Sequence, residues 1–288
     1  MRRANFLAGT GSAGLALGAP LCAEAAPAFH DIVAASTGAL SLYVRTMDGV
    51  VRYALDSDEQ FPSASTIKLV IMLTAFRAYE LGDATPQTPV RIHASDLVGG
   101  SDFLRYAKPG AIYQMGTLVQ HMIRQSDNSA SNALISHFGF ERINTTAAKA
   151  GMARTHLKRH FLDYTAIVKH NDNLTTAHDL AMILYQTERS ARDGIATVAE
   201  PESCRKMIEI LLGQEDRNKI PAGLPRKTPV ANKTGEIDGV RNDAAIVDPF
   251  GSFPYVIVVL TKHLEDESSG TAAISRISRR VYDTLTRS

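Results

Sequence analysis

Ser65 and Lys68 stand three residues apart at the head of a segment that is apolar almost throughout. A serine hydroxyl is a weak nucleophile and needs a base beside it. At a helix start these two side chains share a face. A lysine buried there has its charged form disfavoured, which lets it take the Ser65 proton. The same helix start offers backbone N–H groups and a favourable dipole to developing negative charge. Two more motifs follow in order, Ser126-Asp127-Asn128 and Lys233-Thr234-Gly235. The Ser126 hydroxyl can relay a proton to a leaving group, and the Asn128 carboxamide can hold a substrate amide. Lys233 and the Thr234 hydroxyl can bind a carboxylate, while Gly235 lets a backbone approach closely.

Each motif has an ordinary counterpart. Ser-Asp-Asn is a common helix N-cap, and Lys-Thr-Gly reads equally as a surface turn. The chain holds near misses of its own: Ser203-Cys204-Arg205-Lys206 repeats the first spacing, and Lys227-Thr228-Pro229 puts proline where the third motif needs a small residue with an N–H. The functional reading rests on all three motifs in one order.

Elements that could position them follow from patterning. Residues 41–55 read as a hairpin around Asp48-Gly49. Residues 66–81 form a helix that is apolar on every side and therefore buried. Helical patterns cover 115–125, 129–138, 141–150, 176–187 and 204–212, and a Pro/Gly-rich connection spans 221–229. Strands resume at 244–247 and 255–261, with the third motif just before them, and 269–286 closes the chain as an amphipathic helix. The order strands, helices, strands, helix predicts an α+β fold, an α/β sandwich. In it one antiparallel sheet is built from both terminal segments, with an all-helical block inserted between them. Residues 27–62 and 222–288 would form the sheet part and 63–221 the helical part, with the motifs along the seam, where clefts form.

The chain has 288 residues and a net charge of +1, with no long basic run that would fit a nucleic acid. Arg2-Arg3, the Gly/Ala-rich stretch 6–21 and Ala23-Glu24-Ala25 read as a signal peptide over residues 1–26. The paired arginines point to either twin-arginine or ordinary export, with a periplasmic or secreted product and no stable membrane insertion after cleavage. Cys22 falls inside that signal, behind a poor lipoprotein box. Cys204 is then left without an intrachain partner and reads as a structural thiol on a helix. His156 and His160 have i, i+4 spacing but neither an acidic residue between them nor a third ligand, so no metal and no cofactor is expected. His121 on an apolar helix reads as semi-buried. Phe103 and Tyr106, after Gly99-Gly100, could rim a cleft or simply pack.

With these motifs the chain from about residue 29 onward resembles the class A β-lactamases. The resemblance implies a serine hydrolase with Ser65 as the acylated nucleophile, Lys68 as its base and Ser126 as proton relay. It also implies Asn128 as the ligand of the substrate side-chain amide, Lys233 and Thr234 as the carboxylate site, and Gly235 beside them. The backbone N–H groups of Ser65 and Glu236 would form the oxyanion hole. Arg241 would either add a guanidinium to the carboxylate site or be a plain surface arginine. The implied partner is a small β-lactam or a peptidoglycan-like amide, acted on by a monomer.

One departure bears on mechanism. Class A enzymes carry a glutamate in a Glu-x-x-Leu-Asn loop that activates the deacylating water, but residues 142–187 here contain no glutamate. Counting from Gly151 and Thr175-Thr176 places the missing carboxylate at Phe161. Asp163 is the nearest carboxylate and reads as a structural loop residue ahead of a base. Acylation of Ser65 stays open, and fast hydrolysis of the acyl-enzyme is in doubt. The alternatives are a related hydrolase of D-alanyl peptides or small esters, and a penicillin-binding protein that stays acylated.

Overall fold

The computed structural model describes residues 25–100 and 102–287; the export-signal reading, with Arg2, Arg3 and Cys22, lies almost wholly outside the described residues. α1 (Ala25–Ala34) leads into the hairpin β1 (Ala39–Thr46) and β2 (Val51–Leu55). β3 (Phe61–Pro62) precedes a 3₁₀ turn, Ala64–Ile67, that runs directly into α2 (Lys68–Glu80). The ribbon of β4 (Pro89–Arg91) and β5 (Ile112–Gln114) is followed by α3 (Met115–Arg124), α4 (Asn128–Phe138) and α5 (Phe140–Lys149). Then come α6 (Tyr164–Val168), β6 (Leu174–Thr175), α7 (Ala177–Asp193) and α8 (Pro201–Leu212). β7 (Val230–Ile237), β8 (Val240–Val247), β9 (Tyr255–Lys262) and α9 (Glu267–Arg287) complete the fold.

Five strands form one antiparallel sheet in the order β2-β1-β9-β8-β7, so the two chain ends do share a sheet and the helices lie between them in sequence. Period-2 alternation splits its apolar side chains between two cores. Leu40, Leu42, Val44, Ile257 and Val259 face α1 and α9 together with Phe29, Ile274, Ile277 and Val281. Ile246, Val256, Val258 and Leu260 face the helical block around α2. α2 is buried on every side from Lys68 to Phe76, as its all-round apolar sequence requires. The first hairpin turns at Gly49, with φ of 89°, and the Asp48 carboxylate accepts from Val50 N at 3.0 Å.

Three placements differ from the sequence reading. The inserted block is not all-helical, since it carries the β4–β5 ribbon and β6, which pairs with β3 where a short extended stretch satisfies its backbone. The Lys233-Thr234-Gly235 motif lies inside β7, not ahead of the strands, because β7 is the edge strand where polar residues survive next to a cleft. His156 and His160 share no helix: His156 forms an isolated bridge with Leu174, and His160 packs edge-on against Phe140.

Candidate active site

The seam between β7 and the helical block carries a cleft of about 700 Å³. Ser65, Ser126, Asn128, Phe161, Thr234 and Glu236 all line it, from four separate stretches of chain.

Ser65 sits in the 3₁₀ turn just ahead of α2, half-buried, and Lys68 is the first residue of the helix, fully buried. The turn is held from both sides. Ser63 N and Oγ donate to Asn173 O at 2.9 and 3.1 Å, and Asn242 Nδ2 donates to Pro62 O at 2.9 Å. Ala64 takes a left-handed φ of 45°, and Ser126 one of 58°. Such conformations cost about 1–3 kcal/mol each and persist only where the surroundings fix them. Gly235 explains how close β7 comes: a Cβ there would lie 3.1 Å from both Ser63 O and Ser65 N. The glycine thus admits the serine turn itself, with Ser65 N close against Gly235.

Ser126 lies between α3 and α4, and Asp127 caps α4 by accepting from Ala130 N at 2.8 Å. The helix-capping reading of this motif therefore holds. The Ser126 hydroxyl stands between two buried amines, 3.2 Å from Lys68 Nζ and 3.0 Å from Lys233 Nζ. Lys68 Nζ also donates to Ser126 O at 2.6 Å and Asn128 Oδ1 at 2.9 Å, and Lys233 Nζ to Thr234 O at 2.8 Å. The Asn128 amide donates in turn to Gly99 O at 3.3 Å, and Gly100 gives it room, since a Cβ there would come within 2.8 Å of Asn128 Nδ2.

Burial, and then the charge of Lys233, push the Lys68 amine well below its usual value, with Asp127 only partly offsetting them. As a neutral amine Lys68 has two hydrogens. Ser126 O and Asn128 Oδ1 can only accept, so they take both, and the lone pair is left for the Ser126 hydroxyl at 3.2 Å. Burial also lowers Lys233, to about 7, against the attraction of Asp243 and Asp216. Asp243, buried on β8 opposite Thr234, accepts from Asn232 Nδ2 and Ile220 N at 3.0 Å each, and burial raises its carboxyl to about 6.

Phe161 occupies the position counted for the missing glutamate, and its ring lies 4.3 Å from Lys68 Nζ. The loop is fixed there by Asn132, whose Oδ1 accepts from Phe161 N at 2.8 Å and whose Nδ2 donates to Phe161 O at 3.3 Å. Arg159, buried, adds an ion pair to Asp172 at 2.7 Å. Asp163 is exposed and caps α6 through Ala166 N at 3.0 Å, a structural role.

Arg241 is not held free as a cation for the cleft. Its guanidinium pairs with Glu267, approaches Glu236 at 3.7 Å, and donates to the Ile237 and Val240 carbonyls at 3.0 and 2.7 Å. Lys219, Asp216, Asp243 and Asn132 belong to none of the sequence motifs. An aspartate in the apolar run of β8 and an asparagine in the apolar run of α4 were the available signals for two of them. Phe103 packs away from the cleft, stacked on His121 at 3.7 Å, and Tyr106 is exposed. Of the near-miss motifs, Lys206 is exposed on α8 and Lys227 on the loop before β7. Cys204 is buried in α8, and burial raises its thiol.

A family model described as the β-lactamase enzyme family matches residues 24–285. The chain is 26% identical over 266 residues to β-lactamase AST-1 of Nocardia asteroides, covering 91% of this chain and 84% of that enzyme. Among solved structures, a leucine-to-glutamate variant of PBP-A in an acyl-enzyme complex with penicillin G superposes with a TM-score of 0.82. It is 26% identical and covers 94% of this chain and all of that one. The β-lactamase of Sphaerobacter thermophilus gives 0.78 at 26% identity, over 91% and 97% of the two chains.

Proposed function

The chain belongs to the β-lactamase enzyme family, and from that premise we propose that it is a serine hydrolase that opens β-lactam amides through an acyl-enzyme on Ser65 and releases the product slowly. Neutral Lys68 takes the Ser65 proton as the oxygen attacks the carbonyl carbon. The N–H groups of Ser65 and Glu236 stabilise the oxyanion. Ser126 passes its proton to the departing nitrogen and is reprotonated by Lys68, which closes the proton balance of acylation. The observation that carries this reading is the Ser126 hydroxyl between the Lys68 and Lys233 amines. Lys233 and Thr234 receive the substrate carboxylate, and Asn128 its side-chain amide.

Deacylation needs a base on a water. A phenyl ring supplies none, so the acyl-enzyme depends on Lys68 and is long-lived. That one contact, Phe161 over Lys68, also favours a second reading in which D-alanyl peptides or esters are the preferred substrates and β-lactams act as slow inhibitors. Comparing turnover of nitrocefin, a D-alanyl-D-alanine peptide and a thioester by the same preparation separates the two. No helix among the described residues is long and apolar enough to cross a membrane, and the pattern of residues 1–26 supports export to the periplasm or medium.

A further inference from the structure

Lys219 is buried to 1% exposure, and its Nζ holds two carboxylates at 2.6 Å, those of Asp216 and Glu236. Burial opposes its charge, but the two carboxylates outweigh that and keep the amine above its usual value. Asp216 is itself held ionised: burial works to raise it, but Lys219 and the Thr234 hydroxyl keep it low. Arg241 on the neighbouring strand has a second carboxylate in Glu267 besides its approach to Glu236 at 3.7 Å. Both cations therefore keep one carboxylate of their own and share Glu236. Glu236 is the exposed member of the cluster, lines the cleft, and lies two residues beyond Thr234 on the same face of β7.

We propose that the Glu236 carboxylate is a resident occupant of an anion site formed by Lys219 and Arg241, and that it sets substrate specificity by competing with the carboxylate of an incoming ligand. With Glu236 in place, an anionic substrate at Lys233 and Thr234 meets a like charge beside it, and a substrate lacking that carboxylate does not. Swinging Glu236 out frees two cations whose remaining partners, Asp216 and Glu267, hold them in position. This inference rests on the acylation of Ser65 proposed above.

The test compares the acylation rate of the protein by benzylpenicillin and by its neutral methyl ester, followed by intact mass in wild type, E236Q and E236A, with thermal melts as a folding control. Both variants keep the backbone N–H at 236. Removing one like charge from a half-exposed site is expected to raise the acid-to-ester rate ratio about tenfold in both. An unchanged ratio, an equal fall for both ligands, or a slowed deacylation at constant ratio would overturn the proposal. An absence of adduct in wild type with either ligand would instead overturn the acylation of Ser65 and this inference with it.

Discussion

The Phe161 ring lies over the Lys68 amine at 4.3 Å, at the position to which the loop count assigns the absent glutamate. The ring supports a cation by about 1 kcal/mol but accepts no proton. Phe161 is 7% exposed and held at its backbone by Asn132.

Phe161→Glu restores a carboxylate next to Lys68. Deacylation of the penicilloyl enzyme should then quicken by about 10²-fold, the lower end of what a positioned general base contributes. Acylation should change little. Single-turnover decay of the adduct measures it, and a melting temperature several degrees lower is expected for loss of a buried aromatic side chain.

Acylation should follow a bell-shaped pH profile. Below the depressed pKa of Lys68 the amine is protonated and cannot accept the Ser65 proton, so the rate climbs with pH. Above about 7 Lys233 loses its proton and its attraction for an anionic substrate, so the rate for a penicillin falls. Asp243 raises Lys233, so Asp243→Asn should move the falling limb to lower pH. The rate of adduct formation against pH for both proteins decides this.

Gly235→Ala places a methyl 3.1 Å from Ser63 O and Ser65 N. Relieving that contact costs about 1–3 kcal/mol. It also shifts the Ser65 N–H away from β7, so acylation should fall at least about tenfold, since losing an oxyanion donor outright costs 10²–10³-fold. Melting temperature and acylation rate together check it.

Much of this site is legible in the sequence because its parts are local. Ser65 and Lys68 are tied by helix spacing, and the apolar run after them announces their burial. Asn128 and Ser126 are adjacent to a helix cap. Counting along a single loop points to Phe161, and the structure sets its ring beside Lys68. Long-range relationships are not legible in the same way. Arg241 looks free until Glu267, 26 residues on, folds back from α9 onto it. Lys219 carries no motif, and its importance arises only when Glu236 crosses to meet it from β7. Lys233 to Gly235 resemble a turn because an edge strand beside a cleft lacks the apolar alternation of a central one.

The most direct test follows wild type and Ser65→Ala with benzylpenicillin by intact-mass spectrometry over time. Wild type should gain one intact penicillin that persists while penicilloate accumulates slowly, and Ser65→Ala should gain none. An adduct on Ser65→Ala, or no adduct on wild type together with no penicilloate, would contradict the assignment of Ser65 as the acylated nucleophile.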